Sequence, residues 1–399
     1  MPSLLYIGQT PAEGTGSPVV ILRHLRRLAA DGWQITVIAE HGQDSAACDA
    51  AGWPVHPLPA RRRPWWPPYR PDSAPFLRSI RTTLIAREIR RRFFASARGP
   101  DALFGYLAAH ADFAPEIAAR LARQTRVPLT LLIHDDAADF ARTAKERRVL
   151  RRRHAGILRA AHRNWFVSPE LAAVYGPPFS LEPGAFSLPP LPEGGARQSA
   201  YRPPPADGRP RIYYGGHIWP AQYPLFARLA RVIHEAGGRL VLLTRDTPEL
   251  RAFRATAAPV DTLPLFPSNT EALAHLSSHA SGILVSYADT LADMPWVATS
   301  FPSKFIEYAH LGLPAHIVAP PKSAIANWAA RAAYPNFTTP DDLAPLARWV
   351  SDLRDPAVWP ALVAPVRRHA ATDFSPDKIH RQLTAALIPQ SAHRLLHSP

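Results

Sequence analysis

The sequence predicts an α/β protein of two domains, each built on a parallel sheet. In both halves of the chain, short apolar runs alternate with segments of helical periodicity, which is typical of successive β–α–β units. A stretch rich in proline and glycine, residues 186–210, lies between the halves and is predicted to be the linker. With 399 residues, the chain is long enough for two hydrophobic cores.

The first domain, predicted over 1–185, opens with a β–α–β unit. Residues 4–8 and 34–39 are predicted strands, and 18–30 form the helix between them. The loop 14–17 follows the first strand and contains Gly-Thr-Gly-Ser, at the edge of the sheet where ligands bind in open α/β folds. The final glycine of the dinucleotide fingerprint is missing, so the pattern does not predict a dinucleotide site.

Two histidines follow predicted strands in this domain. The apolar runs 101–106 and 128–133 are predicted to be buried parallel strands. His110 and His134 follow them, near the carboxyl edge of the sheet. Each histidine is a candidate site residue, and the alternative is an ordinary hydrogen-bonded loop histidine.

The second domain, predicted over 211–365, repeats the alternation. The sequence predicts its strands at 211–214, 239–244, 263–266 (an edge strand), 282–286 and 315–318. Gly215 and Gly216 form a tight loop after the first of these strands, and Arg245 follows the second.

Residues 300–314 contain a short helix whose two ends are marked. Ser303 is a favoured N-cap, and Gly312 can adopt the left-handed conformation that ends a helix. Lys304 and Glu307 are three residues apart and therefore lie on one face. A cation near a helix N-terminus, beside a carboxylate, suits a diphosphate and a pair of sugar hydroxyls. The alternative is an ordinary surface ion pair between these two side chains.

The pattern Ser-Phe-Pro-Ser-Lys-Phe-x-Glu-Tyr-x-x-x-Gly-x-Pro of residues 300–314 resembles the donor-site helix of GT-B glycosyltransferases of the family 4, or group 1, type. The resemblance implies two Rossmann-like domains facing each other across a cleft, with a C-terminal helix within 366–399 crossing back to the first domain. It also implies transfer of a hexose, with retention, from a nucleoside-diphosphate sugar to a glycan or lipid-linked acceptor. No cofactor is implied, and bacterial surface polysaccharide or glycoconjugate synthesis is the expected role.

The resemblance also assigns roles to site residues. The carboxylate of Glu307 would hold the ribose hydroxyls, the start of the helix would lie near the diphosphate, and His134 would face the sugar. The predicted catalytic residues are His134, Lys304 and His110. The predicted donor-binding residues are Glu307, Ser303, Gly215, Gly216, Arg245, Gly16 and Ser17.

The sequence departs from the family pattern at two places. Many members carry a glutamate seven residues before the ribose-binding one, where this chain has Thr299. Many also carry a lysine shortly after the glycine loop of the second domain, and residues 217–222 contain none. Because a leaving diphosphate needs cations or backbone donors, the predicted substitutes are Lys304, Arg245, the helix N-terminus and the amides of the glycine pair. A catalytically silent GT-B scaffold that binds a nucleotide-sugar or glycan is the alternative.

The net charge of +14 predicts an affinity for anions, and all but four of the 46 basic residues are arginine. Two segments, 61–98 and 142–163, are especially basic, and the first also contains Trp65 and Trp66. Arginine combined with interfacial aromatic residues is typical of proteins that rest on anionic lipid headgroups. A nucleic-acid surface and a merely solvated basic face are the alternatives.

Several classes of protein are disfavoured. The single cysteine, Cys48, excludes an internal disulfide framework. No apolar run approaches the ~18–20 residues needed to cross a bilayer, and no signal peptide is evident, so a cytoplasmic protein, peripheral on the membrane, is expected. No metal site is predicted, because Asp135 and Asp136 are adjacent and would point apart on an extended chain.

Overall fold

A computed structural model describes residues 1–14, 16–40, 45–58, 75–95, 99–108, 113–141, 143–176, 186–187, 189–192, 197–256 and 259–387. These residues form two compact units. One contains the described residues up to Leu191 together with those from Asp377 onwards, and the other contains those from Pro192 to Pro376. His110, Trp65 and Trp66 lie outside the described residues.

The first unit is built on a parallel sheet. Its strands are β1 (Ser3–Gly8), β2 (Gln34–Ala39), β3 (Val55–Pro57), β4 (Ala102–Leu107), β5 (Leu129–Ile133), β6 (Arg163–Phe166) and β7 (Phe186–Ser187). They pair in the order β3-β2-β1-β4-β5-β6-β7, and every pairing is parallel. The buried runs of β1, β4 and β5 consist of apolar residues, tyrosine and glycine except for Thr130, whose hydroxyl donates to Ala386 O, as expected for strands covered on both faces.

Helices cover this sheet and expose their basic side chains. They are α1 (Ser17–Ala30), α2 (Ala46–Ala50), α3 (Pro75–Phe93), α4 (Phe113–Thr125), α5 (Ala144–Leu158) and α6 (Pro169–Tyr175). Both α3 and α5 pack against α4, so the three helices lie together on one face. Not every arginine of α3 is exposed: Arg78 is buried and its Nε donates to Glu116 over 2.5 Å.

The second unit repeats the parallel architecture. Its strands are β8 (Arg211–Gly215), β9 (Arg239–Leu243), β10 (Val260–Leu263), β11 (Gly282–Ser286), β12 (Ala315–Val318) and β13 (Phe337–Thr338), in the order β10-β9-β8-β11-β12-β13. Its helices are α7 (Tyr223–Glu235), α8 (Pro248–Thr256), α9 (Asn269–His279), α10 (Ser303–Ala309), α11 (Ala324–Arg331), α12 (Ala344–Asp352) and α13 (Trp359–Ala371).

The edge strand of this sheet is displaced from its predicted position. The prediction of 263–266 is wrong: β10 begins at Val260 and ends at Leu263. Its four residues are only partly buried, so an edge strand here needs no apolar run, and Asp261 accepts a 2.6 Å bond from Arg239 of β9. Pro264, which has no N–H to donate, follows the last paired residue.

The C-terminal helix α14 (Pro376–Leu387) belongs, from Asp377 onwards, to the first unit. It packs beside α1, where Arg27 pairs with Asp377 at 2.7 Å and His380 meets Asp31 at 2.5 Å. Its buried face joins the same core as the apolar residues of α1. The expectation that the C-terminal helix returns to the first domain is therefore confirmed.

Helix α10 is the predicted short helix, with one correction at its start. Pro302 occupies the N-cap position and makes no side-chain cap, so the prediction of Ser303 as N-cap is wrong. The end is as predicted, because Gly312 has a φ of 66°. A Cβ at Gly312 would overlap the carbonyl oxygen of Arg197, whose N–H donates to His310 O at the end of the helix.

Candidate functional site

The glycine pair after β8 is a packing surface for α10. A Cβ at Gly215 would overlap the hydroxyl of Tyr308, which donates to the Gly215 carbonyl over 3.4 Å. Gly216 has a φ of 121°, a conformation that favours glycine. Its N–H donates to Leu243 O over 2.8 Å, so the expectation that this amide is available to a phosphate is wrong. The pair instead lets a helix approach the end of the strand closely.

The ammonium group of Lys304 occupies the space that a side chain at position 216 would fill. Its Nζ lies above the ring of Tyr214, 5.5 Å from the centroid. Burial lowers the pKa of Lys304 to about 8, since desolvation disfavours the charged form. Among the described residues no carboxylate pairs with it, so the predicted alternative of a Lys304–Glu307 ion pair is not formed.

Two further cationic or polar groups lie at the same edge of the sheet. His217 follows the glycine pair and is exposed, and Arg245 follows β9. The pKa of His217 is lowered first by partial burial and then by the charges of Lys304 and Arg245. The three side chains therefore share one electrostatic environment, which is positive and would favour an anion.

Glu307 lies one turn beyond Lys304 on α10 and is partly buried. The opposite face of this helix is fixed by Phe305, which is fully buried and packs against Trp328, Tyr334 and Phe374. Because this aromatic cluster anchors the helix, the face that carries Lys304 and Glu307 is held in place. Ser303 is the first residue of α10.

Two tryptophans extend this site, and sequence reasoning missed both. Trp219 lies edge-to-face with His217 at 4.8 Å and with Trp296 at 5.4 Å between ring centroids. Gln222 stands within the segment in which the family lysine is missing; it is buried, and its amide donates to Ser286 O over 3.2 Å. Its place in the sequence could have indicated Trp219, because it lies four residues after Gly215, the predicted donor-binding residue at the end of β8.

The first unit presents a second set of predicted residues. Gly16, with a φ of 84°, is the N-cap of α1, and Ser17 is the first residue of that helix. His134 follows β5, packs on Tyr106 at 5.5 Å, and has a pKa that burial lowers and Asp135 partly restores. His24 of α1 is fully buried, and burial lowers its pKa to about 3.

Comparison with known proteins assigns a domain to the first part of the chain and a fold to the whole. Residues 15–176, from the loop before α1 to the end of α6, match the model of the glycosyl transferase 4-like domain. A glycosyltransferase from Rickettsia africae ESF-5 is similar over 96% of this chain and 97% of its own, with 9% identity and a TM-score of 0.64. The lipopolysaccharide outer core galactosyltransferase WaaB is similar over 96% of this chain and 98% of its own, with 10% identity and a TM-score of 0.61. Residues 15–176 therefore carry a glycosyl transferase 4-like domain, and the chain as a whole has the GT-B fold.

A further structural relative carries a bound nucleotide. Anabaena Alr3699/HepE, solved in complex with UDP, covers 97% of this chain and 99% of its own at 14% identity, with a TM-score of 0.61. No curated protein sequence matches the chain. The domain match over 15–176 and these folds agree with the resemblance carried by residues 300–314.

The candidate site residues divide between the two units. The second unit brings together Lys304, Gly215, Gly216 and Arg245, with Ser303 and Glu307 on the same helix as Lys304. Gly16, Ser17 and His134 belong to the first unit.

Asp136 is engaged in a structural network. It accepts a 2.6 Å bond from the hydroxyl of Tyr175 and pairs with Arg151 at 2.9 Å. Across the described parts of the chain, no three histidine, cysteine or acidic side chains are grouped as they would be around a metal ion. Metal independence itself stays a prediction.

Proposed function

We propose that the protein transfers a hexose from a nucleoside-diphosphate sugar, bound by the second unit, to a glycan or lipid-linked acceptor bound by the first. The observation that carries the proposal is the position of Lys304. Its ammonium is packed on Gly216 at the carboxyl edge of the sheet, without a carboxylate partner in the described chain, in the company of Arg245 and His217. In open α/β sheets, ligands bind at the carboxyl edge of the sheet.

The chemistry of sugar transfer explains why a cation is needed there. As the glycosidic bond to the donor breaks, negative charge develops on the leaving diphosphate. A pKa of about 8 leaves Lys304 mostly protonated at neutral pH, and partial burial strengthens its interaction with an anion. Lys304 can therefore serve as the substitute for the lysine that is missing from residues 217–222.

The nucleoside end of the donor is assigned to Glu307. A carboxylate can accept two hydrogen bonds from adjacent ribose hydroxyls, and each charge-assisted bond contributes about 1.5–3 kcal/mol. Its position one turn from Lys304 suits a ligand whose diphosphate and ribose are covalently adjacent.

The structural relatives support the choice of ligand class. The complex of HepE with UDP makes UDP the first nucleotide to test, and the name of WaaB supports an acceptor in surface polysaccharide or glycoconjugate synthesis. Retention of the anomeric configuration and metal independence are proposed from the family resemblance. A silent scaffold would bind the nucleotide-sugar and leave it intact, so hydrolysis of a nucleotide-sugar panel separates the two functions.

We also propose that the first unit rests on an anionic membrane. Leu77, Ile80 and Leu84, spaced as one helical stripe, are exposed on α3 at 48%, 41% and 50%. The C-terminal part of the same helix exposes Arg87 and Arg91. Apolar side chains flanked by arginines suit the headgroup layer better than a polyanion in water, because a nucleic acid would not require the aliphatic stripe.

The surface proposed to contact the membrane continues from α3 onto α5. Val149 is 43% exposed there, between the exposed cations Arg148 and Arg152. None of the helices in the described residues combines the length and the apolar character needed to cross a membrane. The proposal is therefore contact with a cytoplasmic membrane surface, with Trp65 and Trp66 as further candidates from the sequence.

Calorimetric titration with UDP tests the donor site. Glu307→Ala should weaken UDP binding at least tenfold, because two charge-assisted hydrogen bonds are lost. Glu307→Gln keeps the shape and should lose less. The matched control is Glu235→Ala, an exposed carboxylate at the C-terminal end of α7, which should bind UDP like the wild type. A folded Glu307→Ala variant with unchanged affinities for both UDP and GDP would refute the assignment.

A further inference from the structure

We propose that Trp219 and Trp296 form a platform on which the hexose ring of the donor stacks, which makes Trp219 a determinant of donor-sugar recognition. The inference rests on the proposed function and adds to it a site for the sugar. It starts from the position and exposure of one side chain. Among the large apolar side chains that are exposed in the described residues, Trp219 is the single one in the second unit, with 44% of its surface accessible.

An exposed tryptophan beside a ligand site is informative because it keeps a large apolar surface in water. The two indoles meet edge-to-face, an arrangement that places the edge of one ring against the face of the other and leaves further ring surface uncovered. The C–H groups of a pyranose carry partial positive charge and fit the negative face of an indole. A hexose ring is therefore a chemically suitable occupant.

The platform is preorganised by hydrogen bonds to its backbone. The N–H of Trp219 donates to the side chain of Gln222 over 2.9 Å, and Gln222 is itself tied to the end of β11. The carbonyl of Trp296 accepts bonds from the N–H groups of Thr299 and Ser300, at 3.1 and 2.8 Å. Because both backbones are fixed before a ligand arrives, little conformational entropy is lost on stacking.

The platform adjoins the proposed diphosphate site through His217. The ring of His217 lies 4.8 Å from that of Trp219, and its pKa responds to Lys304 and Arg245. A diphosphate held by these cations would extend in two directions, to the nucleoside and to the hexose. Because Glu307 on α10 is assigned to the ribose, the hexose is the part left for the tryptophans.

The loop beside the platform carries hydrogen-bond acceptors. It leads to Trp296 and contains Asp293, which accepts from the hydroxyl of Thr290, and Asp289, which pairs with Arg228. Tyr287, Leu291 and Trp296 of this loop pack in one apolar cluster with Ala221, which lies two residues after Trp219. A carboxylate has several lone pairs and can accept further hydrogen bonds from hydroxyl groups. These neighbours therefore suit the hydroxyl edge of a hexose whose apolar face lies on the indole.

The test compares a nucleotide with its sugar conjugate. Affinities for UDP and for the tightest binder among UDP-glucose, UDP-galactose and UDP-N-acetylglucosamine are measured by calorimetry for wild type, Trp219→Ala and Trp219→Phe. We expect Trp219→Ala to bind UDP within twofold of wild type and the UDP-sugar at least fivefold more weakly. Trp219→Phe should recover most of that loss, because a ring is restored. Trp296→Phe changes the second ring of the platform. Melting temperatures of all variants check that a loss of affinity comes from the platform and not from a loss of stability.

Other outcomes have definite meanings. Equal weakening of UDP and UDP-sugar would show that the indole contacts the nucleoside or supports the fold, and would overturn the platform. Unchanged affinity for both ligands, with or without a raised KM for an acceptor, would overturn it too. Failure of the wild type to bind any of UDP, GDP, ADP and dTDP would instead refute the proposed donor site, and the platform with it. The two failures are therefore distinguishable.

Discussion

The two units share a parallel sheet with interleaved helices but place their cations differently. In the first unit, exposed arginines such as Arg87 and Arg148 lie along α3 and α5. In the second unit, Lys304, Arg245 and His217 gather at the ends of β8 and β9. Exposed charges act over a surface and are screened by salt, whereas a desolvated charge acts strongly on one bound group. The difference suggests one unit suited to a surface and one suited to a small anion.

The comparison also shows that charge counts alone mislead. Arg78 belongs to the most basic segment of the chain, yet it is buried against Glu116, to which Arg120 is also paired. Lys304 is one of only four lysines and has no carboxylate partner in the described chain. The function of a cation depends on the side chains around it. The sequence does not show which side chains lie close together.

The largest expected effect is on turnover, and it tests the proposed diphosphate site of the second unit. Lys304→Ala should lower kcat for donor turnover, by transfer or by hydrolysis, roughly 10²–10³-fold, because it removes a stabiliser of leaving-group charge. KM should change much less, since this charge grows only in the transition state. Steady-state kinetics measure both constants.

Two variants sharpen this prediction. Lys304→Arg keeps the charge and should retain part of the activity. Arg231→Ala removes an exposed cation of α7 in the same unit and should behave as wild type. A Lys304→Ala enzyme that differs only in KM would make Lys304 a ground-state binding residue, and one with no change would remove it from the site.

The second prediction concerns pH and is of intermediate size. Lys304 has a pKa lowered to about 8 without ligand, and a bound diphosphate should raise it. The free protein then loses a proton above pH 8 that the complex retains, so UDP affinity should fall as the pH rises. Between pH 7.5 and 9.5 we expect a roughly tenfold loss by calorimetry, above the phosphate pKa of about 6.

Lys304→Arg provides the control for this pH dependence. An arginine stays protonated throughout the range, so the affinity of this variant should be nearly flat. A wild-type profile that is also flat would show that Lys304 does not contact the diphosphate.

The smallest expected effect concerns the membrane contact proposed for the first unit. Replacing Leu77 and Leu84 together by Ser should weaken co-sedimentation with anionic phosphatidylglycerol vesicles about two- to tenfold, because aliphatic contact with the headgroup layer is lost. UDP affinity should stay unchanged. Binding by the wild type should be absent with neutral vesicles and reduced at high salt, since each basic residue contributes about 1 kcal/mol that salt screens.

A parallel variant tests the sequence-derived part of this surface. Replacing Trp65 and Trp66 by Ala should weaken vesicle binding in the same direction. Wild-type protein that stays in the supernatant at low salt would favour a solvated basic face and a soluble acceptor.

The main elements of the fold could be predicted because their signals are local. Buried parallel strands such as β2, β11 and β12 appear as apolar runs, and the sequence placed all three at their observed bounds. Strand β10 was misplaced because an edge strand is half covered and needs no apolar run. Helix α8 was missed for a related reason, since it begins at Pro248 in a polar stretch without a clear apolar period.

By itself, the sequence determined the α/β class, the central strands of both sheets, and the helix that carries Lys304 and Glu307. These follow from short-range periodicity and from glycine and proline, which act within a few residues. Only the tertiary structure decided that Gly216 makes room for Lys304, that its amide is used in the sheet, and that Trp219 meets Trp296. These contacts join residues about 27 to 88 positions apart, and burial, which sets the pKa of Lys304, exists only once such distant segments have packed.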